Sequence, residues 1–315
     1  METTHYAFVD ILKGIAILLI VYGHITPGAV PFVTDWVSTF HIPLFFFVSG
    51  LLFNNIKYKD NFLRFFKNRA KGLVFPFLVF SIIVALGYNY VVKDYSGFII
   101  NLITFGWGGG YALWFVPVLI MVEMAFYPLS KMRPTMVLAC ILICAILSYV
   151  SSIKIGLVSN NMLLVFCGIW FYGIGNLCRP FLIWTKKVSI TYCVICITGF
   201  LLSLLYLPIC HILPSWFINK IPSPIYYITP LFAIGGMVGI SLFIERYFNR
   251  YIIIFLSTCG KYSLIILAFH QIICMIAQQY VSSKVAILIM IISLIFLVWF
   301  IPKHVPWMLG KFKTK

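Results

Sequence analysis

Apolar runs of about twenty residues recur along this chain between short polar breaks, each long enough to cross a bilayer as a helix. They predict spans over 8–26, 37–54, 73–92, 111–129, 134–151, 160–178, 188–207, 225–243, 262–280 and 284–301, about ten in all. The run Tyr251-Ile-Ile-Ile-Phe-Leu256 is too short to cross, and is expected at the interface or as a cap on the ninth span. Between the second and third spans, Phe62, Leu63, Phe65 and Phe66 interleave with Arg64, Lys67, Arg69 and Lys71. That interleaving suits an amphipathic helix lying on a membrane surface.

Loop charge orients the spans. With the N-terminus in the cytoplasm, nineteen of the 23 Lys and Arg residues face inward, and only Lys93, Lys154, Lys220 and Lys284 face outward. A bias that alternates loop by loop supports an even number of spans with both termini inside. The expectation is therefore an all-α, polytopic integral membrane protein, N-in and C-in, with one transmembrane domain over residues 1–315. Composition agrees: 63% of residues are hydrophobic and 10% charged, where a soluble domain carries about 25% charged residues. The net charge of +16 then reads as basic loops against anionic lipid, and nucleic acid is not an expected partner. Cys193-Val-Ile-Cys196 lies inside an apolar run, so small apolar filler is a better reading than a redox or zinc pair.

Ionisable groups at bilayer depth are costly and persist where they find a partner or a task. Lys13 and His24 share the first span, ~16 Å apart along a helix axis. His41 opens the second, antiparallel span and so returns to the depth of His24; Pro43 follows and loosens the backbone there. His270, with Gln271 beside it, falls ~13 Å beyond Lys261, near the midplane of the ninth span. Asp10, three residues before Lys13, shares its helical face and is expected to pair with it. Glu123, two-thirds of the way down the fourth span, is either a structural partner or a proton-relay carboxylate. Gly235-Gly236-Met237-Val238-Gly239 has the spacing of a close helix contact. Each histidine also has a plainer reading, as an interfacial side chain or a helix-to-helix hydrogen bonder. Their spacing matches no familiar zinc site, so no metal is expected.

At these residues the chain resembles a known group. Lys13 and His24, in Leu12-Lys13-Gly14-Ile15-Ala16-Ile17 and Tyr22-Gly23-His24, resemble the basic-x10-His signature of the membrane acyltransferase-3 superfamily. The run Phe40–Gly50, the stretch Leu113-Trp114-Phe115-Val116-Pro117, and Gly260-Lys261-Tyr262-Ser263-Leu264 leading to His270-Gln271 resemble its further blocks. The nearest flavour is the fucose 4-O-acetylase-like branch of polysaccharide O-acetyltransferases. The resemblance implies an acyltransferase that moves an acyl group, usually acetyl, from cytosolic acetyl-CoA or another acyl-CoA. The implied acceptor is a hydroxyl of a cell-surface polysaccharide or its lipid-linked precursor, and the implied place is the bacterial cytoplasmic membrane.

Within that resemblance His24 is either the general base or an acyl-carrying nucleophile, with the base preferred. His41 or His270 would orient it or stabilise the developing oxyanion. Lys13 would hold the anionic head of the donor, together with Arg64, Lys67, Arg69 and Lys71 of the basic loop, unless that loop serves only orientation and lipid contact. Lys13 stands where many superfamily members carry arginine, supplying charge without a bidentate fork. Implied partners are acyl-CoA, the carbohydrate acceptor and membrane lipid; self-association is left open. The rival reading is a proton-coupled transporter or flippase of a glycan-related substrate, using His24, His270 and Glu123. The chain lacks the evident internal repeat that many transporters show.

Overall fold

A computed structural model describes residues 6–25, 31–54, 58, 61–93, 112–153, 160–180, 194, 197–199, 201–202 and 225–312. Every regular element among them is helical: α1 (Ala7–Ile25), α2 (Pro31–Leu52), α3 (Phe62–Arg69), α4 (Phe75–Val92), α5 (Phe115–Leu129), α6 (Pro134–Ile153), α7 (Asn160–Leu177), α8 (Ile225–Tyr247), α9 (Arg250–Lys261), α10 (Ser263–Gln278) and α11 (Ser283–His304). A π-helical turn, Ala70–Val74, joins α3 to α4, and short 3-10 helices occupy Ala112–Trp114 and Pro306–Leu309. Helices that satisfy their own backbone groups are what a lipid environment demands.

Among the described residues, five helical stretches are long and apolar enough to cross a membrane, and α9 with α10 forms a broken pair that passes the same test together. Three further apolar stretches, Trp36–Leu52, Pro134–Val150 and Leu164–Leu177, are shorter. Nine of the ten expected spans thus coincide with helices. Most of the 188–207 run lies outside the described residues, as do Cys193 and Cys196. The all-α, polytopic membrane character is what the hydropathy pattern predicted.

The chain forms two compact units, interleaved in sequence: residues 1–54 with 122–261, and residues 55–121 with 262–315. In the first, α1 packs along α9 and α2 along α7. Small residues permit the α1–α9 approach: a Cβ added at Gly14 would overlap the Leu256 carbonyl, and one at Gly260 the Asp10 carbonyl. Association of apolar helices in lipid rests on such close approach, because lipid tails offer as good a solvent as leucine does. In the glycine-rich segment of α8, a Cβ added at Gly235 would meet nothing within 4 Å, whereas Gly236 and Gly239 are buried. Phe53, Phe126 and Tyr172 form an aromatic cluster with centroids 5.0–6.2 Å apart. Beside it, the Asn176 amide donates to the carbonyls of Gly50 (3.3 Å) and Phe53 (3.4 Å), and the Arg179 guanidinium also donates to Phe53. These side chains add donors at the end of α2, where the Gly50 carbonyl also accepts the Phe53 N–H at 3.1 Å.

In the second unit α3, the π turn and α4 run on as one helical stretch, Phe62–Val92, of 31 residues. At ~1.5 Å per residue that is ~47 Å, longer than the ~30 Å hydrocarbon core. The amphipathic segment is therefore continuous with the span that follows it. Asn61 opens it, its side-chain oxygen accepting the Arg64 N–H at 2.7 Å. Phe65 is buried, whereas Phe62, Leu63 and Phe66 are exposed. At the far end of α4 the Tyr90 and Tyr280 hydroxyls bond each other, and the Gln279 amide donates to the Val91 carbonyl at 2.9 Å. Most of the large apolar side chains of α11 are exposed, as a lipid-facing helix requires.

Candidate active site

The helix α1 is unbroken from Ala7 to Ile25, so Lys13 and His24 ride on one rigid element. Eleven residues make about three turns, which puts the two on nearly the same face, ~16 Å apart. Lys13 Nζ lies 4.0 Å from the Asp10 carboxylate, with side chains 24% and 17% exposed. This is the pairing expected from their i,i+3 spacing. An anion arriving at Lys13 competes with a carboxylate already there. His24 stands in the last turn of α1 and is exposed.

All three histidines share a local bond that fixes their chemistry. His24 Nδ1 bonds the Ile20 carbonyl at 2.9 Å, and His41 Nδ1 bonds the Val37 carbonyl at 2.7 Å. His270 Nδ1 is shared between the carbonyls of Ile266 (2.9 Å) and Leu267 (3.0 Å). A carbonyl oxygen only accepts, so Nδ1 carries the proton and Nε2 is the basic nitrogen of the neutral ring. Every helical histidine has a carbonyl four residues back, but the rotamer that reaches it is set by packing. The sequence carries no signal for it.

His41 is half-buried on α2, which packs against α1, and its ring lies within electrostatic reach of His24. Because α2 begins at Pro31, His41 lies in the middle of that helix and not in the first turn, where the apolar run alone placed it. It nevertheless comes near His24 inside the first unit. Asp35 and residues 26–30, between the two rings in sequence, lie outside the described residues or side chains. Glu123 belongs to the same unit and is buried.

Sequence reasoning missed Glu245. Its carboxylate bonds the Phe8 backbone N–H, in the first turn of α1. A negative charge there complements the positive end of the helix dipole, so α8 anchors the helix that carries Lys13 and His24.

The remaining candidates belong to the second unit. His270 is fully buried on α10. Its neighbour Gln271 accepts the Ala112 N–H through Oε1 at 2.9 Å, holding the start of the Leu113-Trp114-Phe115 stretch. Arg64, Lys67 and Lys71 are exposed. Arg69 is half-buried, its guanidinium 5.6 Å from the centre of the Phe65 ring. Among the described residues no group of three or more His, Cys, Asp or Glu side chains could hold a metal ion.

Over 105 residues the chain is 30% identical to the nodulation protein NolL of Sinorhizobium fredii, a match covering 30% of this chain. It spans 29% of that relative's own length. No solved structure matches the chain significantly. A family model described as an acyltransferase domain matches residues 6–302, taking in Lys13, His24, His41, the basic segment and His270 alike. The chain belongs to the acyltransferase-3 family of membrane acyltransferases.

Proposed function

We propose that this protein is an O-acyltransferase of the bacterial cytoplasmic membrane. It takes an acyl group, in the first instance acetyl, from cytosolic acyl-CoA and delivers it to a hydroxyl of a cell-surface polysaccharide or its lipid-linked precursor. The observation that carries this reading is the geometry of α1. A cation sits about three turns below an exposed histidine on nearly the same helix face, and the Nδ1–H of that histidine is held by the Ile20 carbonyl.

Acyl-CoA has an anionic head and a long thin arm ending in a thioester. With the head at Lys13 the arm runs along α1 toward His24. His24 Nε2 takes the proton from the acceptor hydroxyl as that oxygen attacks the thioester carbonyl. The tetrahedral intermediate collapses, the C–S bond breaks, and the CoA thiolate recovers the proton from the imidazolium. The products are the O-acyl ester and free CoA thiol. His41, within electrostatic reach of His24, adjusts that ring's charge or stabilises the oxyanion. In the second unit, Arg64, Lys67, Arg69 and Lys71 are proposed to contribute charge to donor binding, and His270 to assist the reaction.

The test uses purified protein in lipid, labelled acetyl-CoA and a panel of glycan acceptors, beside His24→Ala. Label transfer, or thioester hydrolysis, should exceed that of the variant at least a hundredfold. Donor binding is measured separately, so that a missing acceptor is distinguished from a missing activity. Equal turnover by the two proteins sinks the proposal. Proton-coupled glycan movement without acyl transfer would support the transporter reading instead.

A further inference from the structure

We infer that the basic end of the second unit holds an anionic phospholipid, its headgroup on a ledge formed by the last turn of α11 and the 3-10 helix after it. Lys303 Nζ lies 5.1 Å from the centre of the Trp299 ring, whose side chain is 54% exposed. The His304 ring is stacked on Phe300 at 4.9 Å, and Phe300 on Phe296 at 5.2 Å. An apolar aromatic wall therefore ends in two exposed polar side chains, Lys303 and His304.

Beyond Val305 the chain turns back and is fixed there. Trp307 and Phe312 pack on Phe75 at 6.4 and 5.2 Å. Gly310 has φ +70°, and a Cβ on it would overlap the Lys71 carbonyl. A left-handed backbone in so close a contact calls for glycine. This turn presents Lys311, also exposed, on the same short segment.

Charge complementarity identifies the occupant. The only acidic residues in this unit's sequence are Asp60 and Asp94, and neither is among the described residues. The described residues of the unit therefore set Lys303 and Lys311 against no carboxylate. A soluble anion would use the cations alone. A phospholipid uses both parts of the ledge, its phosphate meeting Lys303 and Lys311 and its acyl chains lying along Phe296 and Trp299. The plainer account, that Lys303 and His304 merely offset the carbonyl end of α11, predicts no preference among headgroups. The proposal is independent of the catalytic reading above.

The full chain is purified in neutral detergent and supplied with phosphatidylglycerol or phosphatidylcholine of matched acyl chains. Retained lipid is read by native mass spectrometry, and thermal unfolding alongside it. Wild type should retain phosphatidylglycerol in preference. Lys303→Gln with Lys311→Gln should lose that preference, by about fivefold per cation removed, while unfolding in phosphatidylcholine as wild type does. Trp299→Leu, which removes the platform under Lys303, should weaken it as well; it serves if the double variant does not fold. Lys284→Gln, at the other end of α11, should leave it intact. The inference is overturned by equal retention of the two lipids in wild type, or by an undiminished preference in both ledge variants. An equal loss in Lys284→Gln, which would mark a net-charge effect, also overturns it, as does displacement of the lipid by stoichiometric acetyl-CoA.

Discussion

At the scale of single residues, an imidazole accepts a proton through whichever nitrogen its surroundings leave basic. In His24 the Ile20 carbonyl makes that choice, and the Val37 carbonyl makes the same one for His41. If His24 is the base, His24→Ala should lower kcat by about 10²- to 10⁴-fold and leave the donor dissociation constant unchanged. Rapid-quench turnover and equilibrium binding on one preparation separate the two quantities. Lys13 calls for a different design, because Asp10 lies beside it. Lys13→Met should weaken donor binding, and Asp10→Asn in the same chain should fail to restore it. Were Lys13 only a partner for Asp10, the double variant would bind donor as wild type does. These side chains were legible in the sequence because charge inside an apolar run is conspicuous by its cost. Glu245 was not, since its carboxylate serves a backbone N–H more than two hundred residues away in the chain, and no local pattern announces such a bond.

At the scale of helices, hydropathy located the elements and left their packing undetermined. Gly14 and Gly260 lie within stretches singled out for chemistry, yet their visible role is steric: each lets the backbone of α1 meet that of α9. The glycine-rich segment chosen from spacing is divided: Gly235 faces open space, whereas Gly236 and Gly239 are buried. Spacing reports which small residues share a face, and the identity of the facing helix is a property of the fold. Gly14→Ala should therefore cost about 1–3 kcal/mol of stability, whereas Gly23→Ala, with nothing within 4 Å of the added carbon, should be tolerated. Thermal unfolding of both variants in one detergent is the check. Equal midpoints would deny the close approach. The basic segment teaches a related lesson. Its interleaved aromatic and cationic residues read correctly as amphipathic, but they do not reveal that the helix continues through a π turn into the next span. That turn lies between two segments which each look complete.

At the scale of the whole chain, a sliding window treats all apolar spans alike, so it could not separate the two units that share them. The chain leaves the first unit after residue 54, returns at residue 122 and leaves again after residue 261. Orientation is more accessible, because it depends on loop charge rather than on contacts. It yields a prediction that does not depend on the chemistry. In a cysteine-depleted background, a cysteine at Lys71 or Phe312 should react with a membrane-impermeant maleimide only after the inner face is opened. One at Tyr280, 67% exposed beyond the end of α10, should react from the outside of intact cells. The three positions belong to one unit, so the pattern follows from the orientation of that unit in the bilayer. Labelling of all three from the same side would refute the assignment. It would also remove the cytosolic access that Lys13 needs if it is to meet acyl-CoA, because the same loop charge that puts Lys71 inside puts the start of α1 inside.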